Sequence, residues 1–248
     1  MTGPMESLTV LYAGAEVPTP SSLQDATGVP VVTGPRDLAR HAEQARTQDV
    51  PLVVVPAGTG RALTSVTQAA QALQWAKRSG TRVVLGPSLI DATRAIAEMR
   101  RHLRAAATGH DAVLFRANTV DAFADAELLR RVRLAQQYSE DLLVEVAFEG
   151  SWPSVDTARD RLGLLGATNL TEIRADLGAD GGTVLFRPSS LATAVERAVH
   201  TALHLLRDHH DDGIADGLLA DHATGFAHSH GDEDGHEHSH SHSHSHHH

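Results

Sequence analysis

An α/β protein made of two doubly wound parallel-sheet modules, the second one trimmed, is the fold class that this 248-residue sequence predicts. Three observations predict it. Short aliphatic runs recur along the chain without polar alternation, as in strands buried on both faces. Stretches with helical spacing lie between them, as crossover helices do. The pattern then restarts after "ATGHD" (residues 107–111), so that two modules of similar length follow one another.

In the first module, strands fit residues 8–12, 29–32, 51–55 and 81–85, and helices fit 36–48, 63–79 and 90–107. Residues 18–28 are rich in Pro and Ser, so a helix there is short or missing. In the second module, strands fit 112–115, 142–148, 170–174 and 183–187, with helices over 121–138, 155–165 and 190–207. Only "ADLGADGG" separates Arg174 from Thr183. That is too short for a crossover helix and predicts that the last two strands pair as a hairpin. The expected organisation is residues 1–108, residues 109–207, and a disordered His- and Asp-rich tail over 208–248.

Charge separates the tail from the rest. From Asp208 onward there are nine Asp or Glu, no Lys or Arg, and 13 of the 18 histidines. Residues 1–207 keep 22 acidic and 21 basic side chains, a near-neutral body with no electrostatic reason to bind nucleic acid. Cysteine is absent, which removes disulfides, thiolate metal sites and cysteine nucleophiles. The longest aliphatic stretch, "VPLVVVPAG", is far short of a membrane span, and the N-terminus lacks a basic leader, so the expected location is the cytoplasm.

The stretch "VEVAFEGSWPSVDTARDRLGLLGATNL" (residues 144–170) resembles the second-strand region of the sirohydrochlorin chelatase family (CbiX type), and "DAVLFRANTVDAFADAELLRRVRLAQQY" (residues 111–138) is similar to the start of a second module in its long members. "LTVLYAGA" and "PLVVVPAGTGR" resemble that family's opening and third strands. The resemblance implies insertion of cobalt, iron or nickel into sirohydrochlorin in cobalamin or sirohaem biosynthesis. It also implies a histidine after the first strand, another after the third, and a glutamate closing the second. This chain departs from that pattern. Gly14 is followed by Ala15 and Glu16, the loop over 57–67 has no histidine, and the second module's turn reads Arg116, Ala117, Asn118. Only the glutamate is present, as Glu149, with Glu145 on the same side of the strand. Both are candidates for proton handling; the alternatives are a solvated strand-end carboxylate and an acid neutralised by Arg116 or Arg133.

Three further patterns carry chemistry. "PAGTGR" follows a strand and opens a helix, so Gly58, Gly60 and Arg61, together with Arg116, are candidates to hold a carboxylate or phosphate, although a tight turn also explains both glycines. His200 and His204 are four residues apart on a helix whose other side carries the apolar positions, which puts both imidazoles on one exposed stripe. His209, His210, His222, His228, His230, His236, His238, His240 and His242 continue the series. Neutral imidazole suits Co, Ni, Cu and Zn, so a divalent metal is expected, cobalt first, with nickel, iron or zinc as other fits. A solubilising acidic tail or a purification handle at the last residues is the alternative, although the longest histidine run is only three.

Three readings follow. One is a chelatase that binds a carboxylated, sirohydrochlorin-like tetrapyrrole and carries a C-terminal metal reservoir. The second is a non-catalytic metal storage or delivery protein with a chelatase-like body. The third is an enzyme of a small phosphorylated ligand.

Overall fold

The computed structural model describes residues 6–137, 142–179 and 181–224. Two four-stranded, fully parallel sheets form in it. The first has the order β2-β1-β3-β4, from β1 (Leu8–Ala13), β2 (Val31–Val32), β3 (Leu52–Ala57) and β4 (Val83–Leu85). The second repeats that order as β6-β5-β7-β8, from β5 (Ala112–Asn118), β6 (Leu143–Glu149), β7 (Leu170–Arg174) and β8 (Thr183–Val184). Among the central strands, β3 is buried at every position, and β5 at its first four.

Helices start where the sequence supplies starts. Proline opens α1 (Pro20–Thr27), α2 (Pro35–Thr47) and α7 (Pro188–His209), where its missing N–H costs nothing. Asp91, Asp121 and Ser154 cap α4 (Ala92–Ala106), α5 (Ala122–Gln136) and α6 (Val155–Leu164) by accepting from backbone N–H groups of the first turn. The remaining long helix is α3 (Leu63–Arg78).

The hairpin expected for the last two strands is corrected. β7 and β8 pair in parallel, Ile173 opposite Thr183 and Arg174 opposite Val184. Between these strands the described residues form no helix: the loop after β7 folds inward over the carboxyl end of the sheet, where Ala175, Asp176 and Leu177 are buried and the Leu177 N–H donates to the Glu16 carbonyl at 2.9 Å.

One core lies between the sheets. It joins Leu11, Val53 and Val55 to Phe115, Val146 and Phe148 through Leu23, Met99, Leu128 and Ala198. The helices in this layer are exchanged. α4 packs on α5 and β5, and α7 returns from the second sheet to lie on β3 and β4. Helices α2 and α3 cover the outer face of the first sheet, and α6 that of the second.

The chain after residue 208, assigned to the tail on sequence, is folded as far as residue 224. α8 (Ile214–Leu218) and the 3-10 turn Ala220–Thr224 form a strap that runs back along α3. The Leu85 N–H on edge strand β4 donates to the Asp212 carbonyl at 2.8 Å, so the strap covers part of an edge that would otherwise be open. Ile214 is buried, and Thr67 of α3 donates to the Gly217 carbonyl at 3.2 Å. Gly213 makes the turn with φ 68°, and a Cβ there would meet the Leu85 carbonyl oxygen at 2.5 Å. Gly213→Ala is expected to lower stability by about 1–3 kcal/mol through the positive φ and the backbone clash, read as a shift in the urea midpoint with an unchanged slope.

Candidate functional site

In open parallel sheets, ligands enter at the carboxyl ends of the strands, because loops and helix N-termini meet there. Here those ends hold a set of charged side chains that turn inward. Glu16, just beyond β1, is 1 % exposed at its side chain, and Arg61, beyond β3, is 0 % exposed. Arg61 donates from Nε to Glu16 Oε2 at 3.1 Å, from Nη1 to Asp125 Oδ1 at 2.9 Å and from Nη2 to the Asn118 carbonyl at 2.9 Å. It therefore ties the first module to β5 and α5 of the second. Glu16 also accepts from the Thr59 N–H and hydroxyl, and Asp125 from the Thr119 hydroxyl and the Val120 N–H. Gly58 leaves room for this: a Cβ there would meet Glu16 Oε1 at 2.8 Å.

A second cluster lies at the ends of β5, β6 and β7. Arg174 donates to Asp176 Oδ1 at 2.8 Å, Glu149 Oε1 at 2.9 Å and Asn118 Oδ1 at 2.8 Å. Arg116 donates to the same Glu149 oxygen at 2.9 Å. Asp176, wholly buried, accepts from the Asn118 and Gly178 N–H groups.

Of the residues singled out on sequence, Glu149 thus sits between two guanidinium groups, and Glu145 lies half-buried on edge strand β6, about 13 Å further back along the strand. Gly60 and Arg61 line a cavity of about 360 Å³ with Phe123, Glu127 and Arg130, but the Arg61 guanidinium points away from it into its ion pairs. Arg116 is occupied by Glu149 and, at 3.5 Å, by Glu172. The sequence reading missed Asp125, Arg131, Arg174 and Asp176 as members of this layer. The available signal was the place of Arg174 and Asp176 at and just past the end of β7, and of Asp125 in the first turn of α5; Arg131, in the third turn of that helix, gave none.

The histidines of α7 stand apart from this layer. His200, His204, His209 and His210 are exposed, and the buried face of the helix is Leu191, Ala194, Val195, Ala198 and Ala202. His204 Nδ1 lies 2.5 Å from Asp208 Oδ2, and the His204 and His209 rings meet edge to face with centroids 5.5 Å apart. The hydrogen bond from Arg207, helped by that of His204, holds the Asp208 carboxyl down at about 2, so it is ionised at neutral pH. His210 lines a cavity of about 500 Å³ with Lys77, Arg82, Arg207 and Asp212, and His222 is exposed in the 3-10 turn. Among the described residues, no three His, Asp or Glu side chains converge into a metal-holding group. His228, His230, His236, His238, His240 and His242 lie outside the described residues.

No protein-family model matches the chain, and no curated protein matches it. Among solved structures, it is similar to a solute-binding protein of an ABC transporter from Burkholderia graminis in complex with D-arabinose, with 12% identity, 82% of this chain and 91% of that chain covered, and a TM-score of 0.39. It is also similar to one from Clostridium phytofermentas with bound L-rhamnose, with 14% identity, 86% and 84% covered, and a TM-score of 0.39. At that degree of superposition the likeness says nothing of what this chain binds.

The chelatase expectation is corrected. The structures this chain is similar to are solute-binding proteins, and no family model supports the resemblance seen in residues 111–170. The physical reason lies in the strand ends: Arg61, Arg116 and Glu149, the groups meant for tetrapyrrole carboxylates and pyrrole protons, are engaged with acids and guanidinium groups of the protein itself. Sirohydrochlorin binding, metal insertion, a role in cobalamin or sirohaem biosynthesis, and the chelatase-like body of the second reading fall together. No helix among the described residues is long and apolar enough to cross a membrane.

Removing one member of a buried, hydrogen-bonded ion set leaves its partners charged and unsolvated. Arg61→Met is expected to destabilise the fold by about 3–5 kcal/mol, and adding Glu16→Gln is expected to recover part of that loss, since the two sites share one interaction. Urea unfolding of the single and double variants measures both.

Proposed function

We propose that this chain is a binding protein whose ligand is a divalent transition-metal ion, held by the imidazoles at and beyond the end of α7. The observation that carries the reading is the His204–Asp208 pair with His209 against it, at the point where the histidine-rich sequence begins. An ionised carboxylate facing Nδ1 calls for a proton on that nitrogen, which leaves the lone pair on Nε2, and His204 is 48% exposed at its side chain. A carboxylate behind a histidine in this way fixes the ring and raises its basicity toward a metal. His209, one turn further on with its ring against that of His204, supplies a second imidazole, and the later histidines can complete a coordination shell that two nitrogens leave open. Cobalt, nickel and zinc all suit such nitrogen donors. The paired charges at the strand ends favour a structural role for that layer.

Equilibrium dialysis of the full chain against Co²⁺, Ni²⁺ and Zn²⁺ tests this. Several ions are expected to bind at pH 7.5. Imidazole must be neutral to ligate and ordinarily titrates at about 6.5, so the ions should be released as the pH falls through that value. Deleting residues 225–248 should remove most of the bound metal, and Asp208→Asn should weaken the tightest site by roughly tenfold to a hundredfold. Metal retained in full at pH 5 or after the deletion would sink the reading.

A further inference from the structure

Outside the charged layer and the histidines, the most developed concave surface lies on the outer face of the first sheet, between α2 and α3. Small side chains face each other there, Ala39 and Ala42 from α2 and Ala72 and Ala76 from α3, and the helices leave two adjoining cavities of about 350 and 380 Å³. Pro35, Ala72 and Trp75 line both, so the cavities form one groove of a size that takes a small ligand.

The groove is lined in a particular way. Trp75 is 69% exposed, as is the other indole, Trp152, and Arg78 sits over its ring at 5.1 Å from the centroid. Tyr12, on β1, forms part of the floor; it is 4% exposed, yet its hydroxyl has no hydrogen-bond partner among the described residues. The little surface that Tyr12 keeps includes this hydroxyl, which therefore opens into the groove where a ligand can reach it. Burial also raises the Tyr12 pKa, so the group remains a neutral phenol that can donate and accept. Gln68 and Gln71 of α3, and Thr33 just past β2, line the same cavity, and their side-chain groups make no hydrogen bond among the described residues. No charged side chain lines this half of the groove.

We infer that the groove between α2 and α3 is a binding site for a neutral, polyhydroxylated ring, a sugar or sugar unit, which lies against Trp75 and takes hydrogen bonds from Tyr12, Gln68 and Gln71. An aromatic wall matches the C–H face of such a ring. Neutral hydroxyl and amide groups match its edge, each able to donate and accept. The charges at the groove are already engaged, Glu43 of the adjoining cavity by Arg46 and Arg78 by the Trp75 ring, so a charged ligand would leave water without gaining an unpaired opposite charge. The site lies on the outer side of one sheet and does not depend on metal.

The test uses the full chain in EDTA, which removes any metal effect. The sequence has two tryptophans, so Trp152→Phe leaves Trp75 as the only indole reporter. D-glucose, D-xylose and maltose are titrated beside glucuronate and glucose 6-phosphate. A saturable change in Trp75 emission with at least one neutral sugar, and weaker or no response to the charged ones, is expected. Tyr12→Phe should leave the urea midpoint in place, because the hydroxyl has no partner in the protein, while weakening sugar binding by about tenfold. Trp75→Ala should abolish binding measured by calorimetry. No saturable response to any of the three neutral sugars at millimolar concentration, an equal response to the charged ones, or unchanged affinity in Tyr12→Phe would each overturn the proposal.

Discussion

The guanidinium of Arg61 holds the two halves of this protein in register. It leaves the end of β3, crosses the seam and reaches both a carboxylate of its own half, Glu16, and a carboxylate and carbonyl of the other, Asp125 and Asn118. A charge so deeply buried is tolerated only when it is paired and hydrogen-bonded, and three acceptors would be stranded if it left. Arg131 repeats the arrangement in the opposite sense, donating from α5 to the Thr59 carbonyl at 2.6 Å. The carboxyl edges of both sheets are therefore fixed against each other by directional bonds, and the apolar core between the sheets fills the space so defined.

This constraint explains why the strand ends, the usual place for a ligand in such sheets, carry so little open chemistry. Asp176, Arg174, Glu149 and Arg116 form a chain of alternating charge in which each group neutralises the next. The two surfaces proposed to bind ligands lie further out, at the end of α7 and in the groove over α2 and α3, where side chains are not needed to hold the seam.

Much of the fold was legible in the sequence because its signals are local. The aliphatic runs of β1, β3, β5 and β6, the prolines and aspartates that start helices, and the restart near residue 109 each mark an element without reference to its partners. The parallel pairing of β7 and β8 was not legible, since it depends on Leu177 finding the Glu16 carbonyl 161 residues away in the chain. The strap over 211–224 was hidden by its composition: its acids, beside the histidines, read as a solvated tail, and Ile214, Leu218 and two glycines bear its packing. At the strand ends the sequence pointed to Gly58, Gly60, Arg61, Arg116 and Glu149 as places of importance but not to their use. Whether an arginine faces a ligand or an internal acid is decided by partners distant in sequence, and a family likeness drawn from strand and turn motifs did not carry that information. The exposed stripe of His200 and His204 was legible, because helical periodicity alone determines it.

The exchange of α4 and α7 bears on how such a chain can be inherited. Each sheet is lined on its inner side by a helix that belongs, in order of synthesis, to the other half. A ribosome that has released only residues 6–108 has made a helix fitted to a surface not yet in existence, and a sheet still short of one of its inner covers. The halves look like a tandem pair, yet neither is a unit that a gene could lose or lend on its own; two copies of the first half would satisfy each other only by trading α4 across a dimer.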